Sequence, residues 1–342
     1  MKKIIIRSVI MILITVLLFW YILKDNFATS IKLLASSNII FLLFGFLTFF
    51  IAFIVDTNVF KTLIRKHKKD YETKKIYELS AMTRFFNGIT PFALGGQPFQ
   101  AYELTQNDVK LTDSLLILTE MYIVHVFTLT TLTITAFILR YIFHFVPNGF
   151  LWTLTLIGSV FNLTALAILT FIALKIGTAK KIGKLIIKFL SKLHIIKKED
   201  EAIDSFYNKC NEYSNGYKDL IKNKKIIIKC VLLNLINLSC YFLIAFFAIK
   251  AIDNTFSLNP LHVLCLSVLS YISATFVPIP GGSVGAEYAY YNYFILIIPE
   301  SVIVPSLILW RFISYYLPMI IGGIIFNIVD NRATRKCKEE SK

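Results

Sequence analysis

Apolar residues in this chain run on without alternating, in stretches separated by short basic segments. Runs over 4–23, 38–60, 113–139, 151–174, 226–250 and 301–328 each reach the roughly 20 residues needed to cross a hydrocarbon core of about 30 Å. In lipid, backbone N–H and C=O groups are satisfied only inside helices or closed barrels, and continuous runs fit helices. The pattern predicts an all-α, polytopic membrane bundle. Two further apolar segments, 76–105 and 262–299, are interrupted by Thr90-Pro91-Phe92-Ala93-Leu94-Gly95-Gly96-Gln97-Pro98 and by Pro278-Ile279-Pro280-Gly281-Gly282. Each must enter and leave on one face, either as a re-entrant hairpin or as two full spans. Hydropathy leaves both options open.

Charge adds orientation. The chain carries a net charge of +15, but its Lys and Arg residues sit between apolar runs and not on a soluble domain, so nucleic acid is not an expected partner. The 61–75 segment alone holds Lys61, Arg65, Lys66, Lys68, Lys69, Lys74 and Lys75. With Lys2, Lys3 and Arg7, the 175–229 stretch and the tail after Asp330, these fall on one side of an alternating topology. The other side has little beyond Lys24, Lys32, Arg140 and Lys250. The bias predicts a multi-pass protein of the cell membrane with both termini cytoplasmic. The first broken segment then opens from the cytoplasm and the second from outside, as in inverted-repeat transporters. Val9 to Leu23 is long for a signal peptide and no cleavage site follows it, so an uncleaved first span is expected.

Residues 1–330 read as one membrane unit, including the 175–225 loop, and 331–342 as a basic tail. Within the loop Ile182, Leu185, Ile186, Phe189 and Leu190 recur at helical spacing among Lys180, Lys181, Lys184, Lys188 and Lys192. That pattern suits either a basic helix lying on the inner leaflet or a topogenic charge run. The composition, 56% hydrophobic with a mean hydropathy of +0.66, leaves too little polar surface for a soluble protein of this length. Five cysteines without CxxC spacing outline no disulfide or metal framework, and no metal or cofactor is expected.

Candidate chemistry therefore lies in the membrane. Gly and Pro release backbone groups that survive there only when buried in protein or lining a wet cavity. Gly95 to Gln100, with the amides Gln97 and Gln100, could expose donors to an anionic group, and Gly281 to Ser283 could do so from the other face. Tight packing by glycine is the plainer alternative. Ionisable residues in apolar segments are the second pointer: Arg84, Glu103, Glu120, His125, Glu287 and Arg311, with Asp56 placed near the cytoplasmic end of its span. Arg84 and Arg311 suit a phosphate, while Glu120 and Glu287 suit a headgroup amine, a proton relay or a register-fixing ion pair. Asn234 and Asn237 are expected to bond helix to helix. P-loop, zinc-protease, nucleophile-elbow and dinucleotide motifs are missing from the sequence, and no catalytic residue is predicted.

The two broken segments, Thr90 to Tyr102 and Val277 to Glu287, resemble the paired signatures of the lysylphosphatidylglycerol synthase transmembrane family, and the likeness extends over about 1–330. It implies movement of a charged, anionic or aminoacylated phospholipid or of a lipid-linked sugar headgroup between leaflets. By position it implies Pro91, Gly95, Gly96 and Gln97 in the first motif, and Pro278, Pro280, Gly281, Gly282 and Glu287 in the second, with Arg311 on the next span. Many members carry Arg where this chain has Gln100. Two-domain members also carry a soluble lysyltransferase domain. Only 331–342 follow Asp330, so phosphatidylglycerol lysyl transfer is not expected of this chain by itself. A membrane partner of a separate lipid synthase or glycosyltransferase stays open as the alternative.

Overall fold

The computed structural model describes residues 27–90, 93–147, 149–192, 198–255, 257–274 and 285–340. The 4–23 run and Pro91, Pro278, Pro280, Gly281 and Gly282 lie outside the described residues. The helices are α1 (Phe27–Ala35), α2 (Ile39–His67), α3 (Thr73–Gly88), α4 (Gly96–Gln106), α5 (Leu111–Ile142), α6 (Gly149–Leu174) and α7 (Ile176–Lys192). They continue with α8 (Glu199–Lys222), α9 (Lys224–Ile252), α10 (Pro260–Ala274), α11 (Gly285–Phe294), α12 (Glu300–Arg311), a π turn (Phe312–Tyr316) and α13 (Leu317–Glu340). Long apolar helices match five of the six predicted runs: α2, α5, α6, α9 and the α12–π–α13 rod.

The broken segments are hairpins. At 16 and 11 residues, α3 and α4 reach only about 24 and 16 Å, short of a full crossing. Their outer ends are tied together: Lys68 Nζ donates to the Asn107 carbonyl at 3.0 Å and Lys75 Nζ to Asn107 Oδ1 at 2.7 Å. The first segment thus enters and leaves on the face that carries the basic 61–75 stretch. From there α5 crosses to the other face, where Phe143 and Phe145 pack on His262 at the start of α10. On that same side Tyr291, near the end of α11, donates to Glu300 at 2.6 Å. The α10–α11 segment is therefore a second hairpin, entering from the opposite face.

Element order repeats with the sense reversed. Long helix, hairpin and long helix appear as α2, α3–α4 and α5, and again as α9, α10–α11 and α12–π–α13. The two lead helices, α2 and α9, pack along each other as the central pair. Each hairpin's first leg lies against a long helix of the other half or its neighbour, α3 on α13 and α10 on α5 and α6. Glycine permits the close approaches. A Cβ on Gly322 would sit 2.3 Å from the Ala81 carbonyl oxygen, and one on Gly158 would sit 2.4 Å from that of Ile272. Such backbone-to-backbone contact is the usual basis of helix packing in lipid, where apolar side chains gain nothing from leaving water.

On the basic face α7 and α8 form an antiparallel pair outside the bundle. A Cβ on Gly183 would clash with the Phe206 ring, so α7 lies flush on α8 along Ala179, Gly183 and Ile187. Ile182, Leu185, Ile186 and Phe189 stay exposed beside the lysines. Between the two readings of this loop, that favours an in-plane amphipathic helix. The pair is anchored by Lys66 Nζ, which contacts buried Glu120 at 2.7 Å and Asp219 of α8 at 2.9 Å.

Two outcomes follow from these contacts. Gly158→Val should destabilise the bundle by about 1–3 kcal/mol through overpacking against α10, read as a lower unfolding temperature in detergent. The Lys66 hydrogen bond and charge hold the Asp219 carboxyl below its usual range. The stabilisation from this contact is therefore present above the ordinary Asp value of about 3.9 and is lost as pH falls through the lower folded value. Hydrogen exchange in α8 should speed up on that acid limb, modestly because Asp219 is largely exposed, and Asp219→Asn should produce the same loosening at neutral pH.

Candidate functional site

The tip of the first hairpin is built by local hydrogen bonds. Asn87 Oδ1 accepts from the Gly96 amide and Thr90 Oγ1 from the Gly95 amide, both at 2.8 Å. The first leg thereby caps the N-terminus of the second. Both glycines are needed for that approach: a Cβ on Gly95 would lie 2.5 Å from Thr90 Cγ2, and one on Gly96 would lie 2.4 Å from Asn87 Oδ1. Ala93, between the legs, has a φ of 54°, in the left-handed region that costs a residue with a Cβ. Stacking of Phe86 on Phe99, with ring centroids 4.0 Å apart, then locks α3 to α4.

Beside this tip a cavity of about 720 Å³ opens inside the bundle. Its wall is drawn from seven helices. Asp56 comes from α2, Arg84 and Asn87 from α3, Gln97 and Gln100 from α4, Tyr122 and His125 from α5, Asn162 from α6, Asn234 from α9 and Tyr271 from α10. Asp56 and Arg84 form its charge pair. Arg84 Nη1 and Nη2 donate to Asp56 Oδ2 at 3.3 and 3.2 Å, and the other carboxylate oxygen accepts from Asn237 Nδ2 at 3.3 Å. Neither side chain is sealed off, with 25% of Arg84 and 20% of Asp56 accessible. A guanidinium that remains reachable at membrane depth can meet an anionic group without a new charge having to be buried.

A second pair joins the other hairpin to the last rod. Arg311 Nε donates to Glu287 Oε1 at 2.6 Å, with the side chains only 4% and 6% exposed. Glu287 occupies the first turn of α11, where the helix dipole favours a carboxylate. The Arg311 guanidinium carbon lies 5.3 Å from the Trp310 ring centre and 5.0 Å from that of Tyr315. Immediately afterwards the rod widens into the π turn, a form of helix often found at functional sites. From that turn Tyr315 Oη donates to the Gly88 carbonyl at 2.8 Å, at the end of α3. The inner ends of the two hairpins are thus linked through one π turn.

Of the sequence candidates, Arg84, Gln97 and Gln100 line the cavity and Gly95 and Gly96 shape its edge. The glycine amides are already occupied within the hairpin, so the free-donor expectation for them is replaced by tight packing. Glu287 and Arg311 pair with each other outside the cavity wall. Glu120 is drawn to the basic face by Lys66 and does not border the cavity. Asp56, expected near the cytoplasmic end of its span, also lines the cavity. Its helix continues eleven residues further, through His67, which sets Asp56 about 16 Å inside the end of α2. A lone carboxylate in a 29-residue helix was the available signal. Asn87, Tyr122, Asn162 and Tyr271 carried none that separated them from other polar residues in apolar helices. Asn234 and Asn237 do bond to each other, at 3.3 Å.

Two oppositely directed hairpins set among long apolar helices, with a polar cavity beside the first, define a multi-pass membrane domain. The chain belongs to the lysylphosphatidylglycerol synthase TM region family, which matches residues 5–322. It is also similar to a UPF0104 membrane protein of Methanocaldococcus jannaschii, 27% identical over 318 residues that cover 90% of each chain.

Replacing one member of the sealed pair leaves the other charge buried. Glu287→Gln and Arg311→Gln should each cost about 3–5 kcal/mol, and the Glu287→Met/Arg311→Met double variant should recover much of that loss. Thermal unfolding in nanodiscs measures all three.

Proposed function

We propose that this protein translocates a lipid headgroup between leaflets, with the cavity beside the first hairpin as the passage. The observation that carries the proposal is an accessible guanidinium, Arg84, in a polar cavity of about 720 Å³ enclosed by membrane helices. A phosphate entering this space would exchange one Arg84 contact for another, and Asp56 would then be free to meet a headgroup amine or hydroxyl. Gln97, Asn162 and Asn234 offer neutral donors and acceptors along the wall. Membership of a family named for a lipid synthase's membrane region supports a phospholipid or lipid-linked substrate over a soluble ion. The inverted hairpins supply two elements that can rock in opposite senses, with the Tyr315–Gly88 contact as the link between them. On this reading Glu287 and Arg311 set the seating of the second hairpin and do not touch the headgroup. The basic 61–75 face is cytoplasmic, the membrane is the cell membrane, and no catalytic step is assigned to the chain.

Purified protein in proteoliposomes with a headgroup-labelled anionic phospholipid should move label across leaflets faster than empty vesicles. Arg84→Gln should slow this about 10–100-fold, the equivalent of one lost charge-assisted hydrogen bond. Rates equal to those of empty vesicles across anionic, aminoacylated and glycosylated lipids would sink the proposal.

A further inference from the structure

A second, apolar hollow ends on the same arginine. It is a groove of about 190 Å³ between α2, α3 and α13, walled by Phe49, Phe53, Ala81, Pro318, Ile321 and Ile325. Arg84 borders both spaces. Its guanidinium carbon lies 4.8 Å from the centre of the Phe53 ring on the groove side, while its nitrogens hold Asp56 on the cavity side. Lys74 and Glu78 stand at the other end of the groove, where Arg332 reaches Glu78 at 3.1 Å on the basic face. Lys74 and Arg84 are ten residues apart on α3, about 15 Å, or half the thickness of a hydrocarbon core. The groove is therefore about as long as half the thickness of a hydrocarbon core.

We propose that this groove is an acyl-chain site, in which one hydrocarbon tail of a membrane lipid lies while its phosphate meets Arg84 at the cavity wall. Three features select that occupant. Between Arg84 at one end and Lys74 and Glu78 at the other, the walls are almost wholly apolar and give a water-soluble ligand little to bond with. The flank faces lipid: Phe50, which also borders the groove, is 45% exposed, as are Ile324 (55%) and Ile328 (44%) on the neighbouring face of α13. And the one cation shared between an apolar slot and a polar chamber matches the division of a phospholipid into tail and phosphate. The inference rests on the headgroup reading of the cavity and adds the side from which the lipid approaches, between α2, α3 and α13.

The test uses the full chain in phosphatidylcholine/phosphatidylglycerol vesicles containing a trace of phosphatidylglycerol with a photoactivatable acyl chain. After irradiation, mass spectrometry should find label concentrated on segments 49–53, 77–81 and 318–325 over the equally exposed faces of α5 and α6. Ile325→Trp, which fills the groove, should lose most of that label and slow translocation, with Ile321→Trp as a second filling variant should the first fail to fold. Ile320→Trp, on an exposed side of α13 turned away from Pro318, Ile321 and Ile325, should change neither. Label spread evenly over all lipid-facing helices, crosslinking of this flank to a second copy, or unchanged labelling in folded filling variants would overturn the groove. Groove-confined label in a protein that moves no lipid would retain this site and reject translocation, whereas normal translocation by a filled variant would do the reverse.

Discussion

Every backbone polar group inside a bilayer must find its partner in the protein, and the architecture of this chain follows from that requirement. A Pro/Gly-rich break in an apolar segment would strand several donors in hydrocarbon at a cost of several kcal/mol each. Here the break is tolerated because its two legs fold onto each other. Thr90 and Asn87 take up the Gly95 and Gly96 amides, and the glycines bring the legs close enough for those bonds to form. Once closed, the hairpin is too short to cross the membrane and has to be walled in by full-length helices. The surrounding bundle provides that wall, and the space left beside the tip is the polar cavity.

Electrostatics divides the interior into two kinds of charge. Arg311 and Glu287 are sealed, with the Arg311 guanidinium beside the Trp310 and Tyr315 rings at the start of a π turn, which suits a fixed joint between the second hairpin and the last rod. Arg84 and Asp56 are bonded at longer range and stay partly accessible, which suits exchange with a ligand. A buried pair costs desolvation whether or not it functions, so its mere presence is weak grounds for a role. Accessibility and the adjoining space separate the two cases. Lys66 and Glu120 make a third pair, at the basic surface, where their task is to hold α8 beneath the bundle.

Arg84 is also where the polar chamber and the apolar groove meet. The polar chamber and the apolar groove are separated by one side chain that can stack on Phe53 and donate to Asp56 at once, because a guanidinium has an apolar face and a polar edge. A lysine could not occupy that boundary in the same way. The arrangement ties the functional reading of the cavity to the lipid-facing surface.

Much of this was legible in the residues alone. Uninterrupted apolar runs set the all-α class and located five long helices, three of them to within a few residues at both ends, since the length needed to cross hydrocarbon is a physical constant of the bilayer. Basic clustering predicted which loops share a face, and the contacts Lys68–Asn107, Lys66–Asp219 and Arg332–Glu78 gather those segments together. The broken segments stood out, and Arg84, Gln97 and Gln100 were found from composition. Only the tertiary structure could make the segments hairpins, because re-entry and double crossing give the same hydropathy and charge parity. Only it could separate Glu120 from the cavity and bring Asp56 into it, because which side of a helix faces an internal space is decided by how the helices pack. Partner choice among the six charges of the three pairs Arg84–Asp56, Arg311–Glu287 and Lys66–Glu120 was likewise beyond the sequence: which ions meet is decided by helix rotation and packing, and those are set by contacts such as Gly322 on Ala81 that no periodicity announces.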